Sequence, residues 1–122
     1  MSEFTLPWPP VSTNHAYSGL ASGRLRKTKS AASWQAGVAL IVAASGVRFP
    51  RGKLLALTVW QYPPPGWKGD VDGIVKLCMD AIFAGLGLND YWVSELHVYR
   101  GAPGPEPRVV VTLEEVTDAI RR

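Results

Sequence analysis

Lys68-Gly69-Asp70-Val71-Asp72-Gly73-Ile74-Val75-Lys76, then Asp80, then Leu88-Asn89-Asp90-Tyr91-Trp92-Val93: this stretch stands apart from the rest of the chain because of where its acids lie. Between Phe4 and Gly69 there is no Asp or Glu, whereas residues 70 to 90 hold four Asp. A chain that withholds carboxylates and then groups them has the pattern of a metal site.

The spacing predicts a helix from Asp72 to Leu86. Ile74, Leu77, Cys78, Ala81 and Ile82 form the i, i+3, i+4 stripe of an amphipathic helix. At 100° per residue Asp72, Lys76 and Asp80 share the opposite face. Asp72 falls at or near the N-cap, where a carboxylate takes orphan N–H groups, and Gly85 and Gly87 supply the stop. Asp90 rejoins Asp70 and Asp72 only if the chain turns back, for instance as a strand beside the one carrying Asp70.

Three carboxylates and a lysine suit one chemistry. Mg²⁺ prefers oxygen ligands and keeps waters, so a few Asp side chains and phosphate oxygens complete its shell. The ion activates water and stabilises an in-line phosphoryl displacement, and a nearby Lys adds positive charge where negative charge develops. The plainer alternative is that Asp72, Lys76 and Asp80 are i, i+4 ion pairs on a wet face and that Asp90 sits in an Asn-Asp turn. An EF-hand is excluded, since Ile74 falls at its fifth position and no Glu closes the loop.

The 122 residues make one domain, 1–122, with 47% hydrophobic and 19% charged side chains, enough for one core. No apolar run approaches membrane-spanning length and no signal peptide is visible. The lone cysteine, Cys78, lies on the apolar helix face and reads as an inert thiol. These features point to the cytoplasm. The net charge of +3 is uneven: residues 1–69 carry eight basic side chains and one acidic, whereas residues 70–122 carry five basic and nine acidic. A basic half beside an acidic cluster suits a nuclease, with Lys and Arg on phosphates and Asp on metal.

Phe4 to Leu6 reads as a strand entering the stiff Pro7-Trp8-Pro9-Pro10, and Val11 to Gly23 as a loop containing His15. Arg24-Leu25-Arg26-Lys27-Thr28-Lys29 is either a charge-protected edge strand or a phosphate-backbone contact; the acid-free flanks favour the second. Ser30 is the expected cap of a helix over Ala31 to Ala44, with Trp34, Val38, Leu40, Ile41 and Ala44 in the core. Lys53 to Tyr62 is nearly all apolar and is expected as a central strand covered on both faces. Val93 to Arg100 and Arg108 to Leu113 are expected as a hairpin, and Glu114 to Arg122 as a short helix. The fold class is therefore α/β (α+β): a small mixed sheet of four to five strands, two main helices and a short C-terminal helix.

With these residues in hand, the chain resembles the RusA family of Holliday-junction resolvases, endodeoxyribonucleases of bacteria and their phages. The resemblance runs from Leu6-Pro7-Trp8-Pro9-Pro10 and Asn14, through Asp70-x-Asp72, Lys76 and Asp80-Ala81, to Asp90 and Val93, and covers about residues 4–113. It implies a small α/β homodimer that binds four-way junction DNA and nicks two opposed strands using Mg²⁺, with Mn²⁺ able to substitute. It carries the family's metal-binding acids onto Asp70, Asp72 and Asp90, and its important lysine onto Lys76. Asn14, Arg24, Arg26, Lys27, Lys29 and Lys68 are then the expected DNA contacts. Gly73 stands where the family usually has Asn, and Asn89 where it usually has the first of two Asp. A non-cleaving junction-binding module and a nuclease preferring flaps or forks are the rival readings. Met79 and Phe83 project among the polar residues of the acidic helix, and exposed apolar side chains there mark the expected dimer interface.

Overall fold

The computed structural model describes residues 1–12, 17–19 and 25–116. A run of alternating apolar side chains makes β1 (Ser2–Pro7), which buries Phe4 and Leu6. A short ribbon of β2 (Tyr17–Gly19) and β3 (Leu25–Lys27) follows, and then helix α1 (Lys29–Ala44), capped by the Thr28 hydroxyl, which accepts the Ala31 N–H, and not by Ser30. β4 (Leu55–Tyr62), α2 (Val75–Leu86), a single 3₁₀ turn (Asp90–Trp92), β5 (Val93–Arg100) and β6 (Arg108–Glu115) complete the chain. The four-stranded sheet has the order β1-β6-β4-β5, with β4 and β5 parallel and the other pairs antiparallel. The fold is thus the expected mixed α+β class, with β2 and β3 as a separate ribbon.

Several expectations change. Strands β5 and β6 are not a hairpin, because β4 inserts between them and pairs with both. Parallel pairing of β4 and β5 requires a crossover, and α2 supplies it. β4 is interior but covered on one face only. Leu55, Leu57, Val59 and Gln61 point into the core, whereas Trp60 on the other face is 39% exposed and stacks on Tyr99 at 4.4 Å between ring centroids. Both helices lie on the first face. Their shared core joins Val38 and Val42 of α1 to Cys78, Ala81, Ile82 and Phe83 of α2 and to the buried side chains of β1, β4 and β6. Leu40 and Ile41 are exposed, since the face of α1 turned to the core carries Ala31, Gln35, Val38 and Val42 instead. Within 11–23, residues Tyr17–Gly19 form a strand. Glu114 and Glu115 extend β6, so the expected C-terminal helix does not begin there, and 117–122 lie outside the described residues.

The helices run in the same direction. Gln35 near the start of α1 donates through Nε2 to the Leu77 carbonyl at 3.0 Å, and Ala39 and Val42 meet Gly85 near the end of α2. Gly85 is a helix-packing residue and not the stop: a β-carbon there would stand 2.6 Å from the Ala39 carbonyl oxygen. Gly87, left-handed at φ 69°, ends the helix.

Phe83 is 3% exposed and belongs to the core cluster, and Met79 packs against that cluster. The expectation that both stand out from a monomer therefore fails for Phe83, which the same chain buries, whereas Met79 stays partly exposed. Seven residues from Ile74 to Phe83 are buried, so the apolar side of α2 is wider than one stripe. Cys78 is buried as well, and desolvation pushes its thiol up to about 12, as an inert core thiol requires.

Candidate active site

The acids are set by the ends of the β4–α2–β5 crossover. After β4, Pro63-Pro64-Pro65-Gly66 carries the chain off the sheet to Trp67, and a tight turn follows in which the Gly73 N–H donates to the Asp70 carbonyl at 2.9 Å. α2 begins only at Val75. Ile74 is its N-cap, with no side-chain cap, and the Asp72 carbonyl, not its carboxylate, takes the Val75 N–H. The expected capping role of Asp72 is thus replaced by a turn. As a result the carboxylates of Asp70 and Asp72 are exposed, and neither has an ion pair among the described residues.

The N-terminal signature braces this loop. Trp8 meets the Trp67 ring edge-on at 5.3 Å, and the Trp34 indole N–H donates to the Pro7 carbonyl at 3.1 Å. Trp8, Pro9, Pro10, Pro64, Trp67 and Gly69 line a cavity of about 400 Å³ beside the acids.

A second group forms on the outer side of α2. The Lys76 ammonium lies 2.8 Å from Asp80 Oδ1 and 2.8 Å from Asp90 Oδ2. The hydrogen bonds that the ammonium donates, first to Asp80 and then to Asp90, hold it above its ordinary value, so it stays charged. Asp90 is placed by the 3₁₀ turn, whose Asn89 side chain accepts the Tyr91 N–H at 2.8 Å. These residues line an open cleft of about 280 Å³.

The two groups do not coincide. Asp70 and Asp72 follow the C-terminal end of β4, and Asp90 precedes the N-terminal end of β5. Asp90 reaches α2 at Lys76, in the first turn of the helix and four residues after Asp72, and pairs there instead of joining the two loop acids. The return that would set Asp90 beside Asp70 is made by a helix, not by an adjacent antiparallel strand. Among the described residues no three His, Cys, Asp or Glu side chains stand together as a metal-holding group. The donor chemistry itself is suitable: Asp70 and Asp72 offer exposed carboxylate oxygens, the ligand type a hard cation takes.

Of the expected DNA contacts, Lys68 is exposed on the acid loop and Lys29 is exposed as the first residue of α1. Lys27 is half-buried, and Arg26 is the middle residue of β3, opposite Ser18. Ala31, just after this segment, packs with Leu77 of α2, so the basic segment adjoins the start of the acidic helix. Asn14, His15 and Arg24 lie outside the described residues.

The sequence matches the family model described as endodeoxyribonuclease RusA over residues 7–114. The chain belongs to the RusA family of endodeoxyribonucleases. No curated protein matches it. Within this RusA domain, the two departures noted from the sequence acquire local reasons. Asn89 caps the turn that carries Asp90. A β-carbon at Gly73 would stand 3.1 Å from the Asp70 carbonyl oxygen, so glycine lets the turn close tightly on Asp70.

Two residues near the site were not anticipated, Gln61 and Arg100. The sequence signal for the first was an amide inside an otherwise apolar central strand. For Arg100, at the end of an edge strand, there was none.

Proposed function

We propose that this domain is a divalent-metal-dependent endodeoxyribonuclease that resolves four-way DNA junctions, working as a homodimer that nicks two opposed strands. The observation that carries this reading is the pair of exposed carboxylates, Asp70 and Asp72, on a braced loop that leads into the helix carrying the charged Lys76, in a chain of the RusA family. Asp70 and Asp72 would hold Mg²⁺, with Mn²⁺ as a substitute, while Asp90 would fix Lys76 in its cleft; such an ion supplies an activated water and charge stabilisation in phosphoryl displacement. Lys76 keeps its proton and offers a fixed positive charge to a phosphate in the cleft it lines. Lys27, Lys29 and Lys68, together with Arg26, hold the phosphate backbone, and the junction's near two-fold symmetry calls for two copies of the site.

The test is cleavage of a synthetic four-way junction, a flap, a fork and a linear duplex at one salt concentration, with and without Mg²⁺. Paired nicks in the junction that require Mg²⁺ support the reading. Preference for flaps or forks replaces the substrate, and tight junction binding without any cleavage makes the domain a binding module.

The basic segment gives a second expected result. Arg26→Ala and Lys27→Ala should each weaken binding to junctions of any sequence. Removing one phosphate-neutralising side chain should reduce the slope of log K against log salt by about one unit. An unchanged slope from 50 to 200 mM salt, a range over which such charges matter, would make this segment a solvated ribbon.

A further inference from the structure

The acid loop is held by its carbonyls in a way that leaves its carboxylates unengaged. Gly69, Asp70, Val71 and Asp72 each use their backbone oxygen. The Asp70 and Asp72 carbonyls take the Gly73 and Val75 N–H groups, as the turn itself dictates. The other two are taken by side chains from the sheet. Arg100 donates through a guanidinium nitrogen to the Gly69 carbonyl at 2.6 Å, and Gln61 donates through Nε2 to the Val71 carbonyl.

Gln61 and Arg100 are cross-strand partners in the parallel β4–β5 register. They stand side by side near the C-terminal ends of these strands and reach the carbonyls on either side of Asp70. Each is itself held. Gln61 is 0% exposed, and its own carbonyl accepts the Gly101 N–H at 2.7 Å. The Arg100 guanidinium lies over the Trp67 ring, 5.6 Å from its centroid, and the Trp67 ring meets Trp8.

Core stability does not account for Gln61. Its Oε1 is buried and has no hydrogen-bond partner among the described residues, whereas its neighbours on the same face, Leu55, Leu57 and Val59, are apolar. A buried amide with one half unsatisfied is a worse core residue than an apolar one of the same size. What the amide gains is one directed N–H, spent on the peptide between Asp70 and Asp72.

We propose that Gln61 and Arg100 are a pair of positioning residues for the metal-binding carboxylates: by fixing the carbonyls of residues 69 and 71, they set the direction in which Asp70, and with it Asp72, presents its oxygens to a divalent cation. This rests on the reading of Asp70 and Asp72 as metal ligands. Neither residue touches the ion or the DNA. Their effect passes through the backbone, as outer partners tune the ligands of a metal site.

The test uses Gln61→Met, which keeps the length and loses the donor, and Arg100→Lys, which keeps the charge and loses the planar fork. Direct Mn²⁺ binding is followed by electron paramagnetic resonance of the free ion. Thermal melting, and KM and kcat for junction cleavage, are measured alongside, with wild type and Asp70→Asn as references. Each variant should bind Mn²⁺ about tenfold more weakly, a typical loss for an outer-partner change. Junction KM should be unchanged, kcat should return to within about twofold of wild type at saturating metal, and Gln61→Met should melt no lower than wild type. Arg100 is exposed, so Arg100→Lys tests the pair even where the buried substitution perturbs folding. Wild-type Mn²⁺ affinity in Arg100→Lys, with Asp70→Asn impaired, overturns the positioning role and leaves the metal reading intact. Wild-type affinity in Asp70→Asn itself overturns both.

Discussion

Asp72→Asn will lower junction cleavage by more than about a hundredfold while junction binding stays near the wild-type level, and Asp70→Asn and Asp90→Asn will do the same. The change removes one charge from a side chain that is exposed or half-buried, so the fold has little to lose. At Asp70 and Asp72 it removes an anionic oxygen from a proposed cation site, where even outer partners of a ligand are worth about ten- to a hundredfold; at Asp90 it removes the carboxylate that holds Lys76. Binding survives because backbone affinity comes from the basic residues, and those are untouched. Asp90→Asn carries an extra signature. It takes from Lys76 one of its two carboxylate partners, so Lys76 should then pair with Asp80 alone. Single-turnover cleavage at saturating Mg²⁺, with junction affinity measured in Ca²⁺ or EDTA, separates the two effects. A variant that cleaves at a rate close to wild type removes that acid from the site.

Phe83→Glu is expected to unfold the domain, not to release a folded monomer. The ring is 3% exposed among Val38, Val42, Cys78 and Ile82 and their neighbours, and an unpaired carboxylate there has no partner and no water. Even Phe83→Ala should cost about 3–5 kcal/mol, a large share of the roughly 5–15 kcal/mol that holds a domain of this size together, and should lower Tm by about 10 °C or more. Circular dichroism melts read both variants. A Phe83→Glu protein that melts like wild type and sediments at half the mass would return this side chain to an interface between copies.

Much of the fold is legible in the sequence because its signals are local. Apolar runs locate β1, β4, β5 and β6, periodicity locates both helices, and the acid-free stretch before Asp70 marks the site. What escapes is non-local. Nothing in residues 93–113 tells that β4 will come between two strands joined by a short, turn-rich loop. Helical projection assumes one covered side, and α2 is covered on several, by the sheet, by α1 and by the 3₁₀ turn that follows it, which is why projection alone sets Phe83 on the outside. The residues of the proposed site can be named from sequence, but their division into Asp70 with Asp72 and Lys76 with Asp80 and Asp90 cannot. That division follows from the turn after α2, which brings Asp90 onto Lys76, and spacing does not encode it. Gln61 is hidden in a hydrophobic run, and its role shows only in what its amide reaches.

The pairing of β1 with β6 has a temporal consequence. β1 finds its one sheet neighbour in β6, about a hundred residues later, so Phe4 and Leu6 wait unpaired until Val109 and Val111 have emerged. β4, α2 and β5 can assemble earlier, but the Pro7–Trp8 segment that braces the acid loop is anchored only when β6 arrives. A nascent chain should therefore brace the acid loop late and abruptly, once β6 has emerged. Its long-range closing contact should make refolding slow for so small a protein.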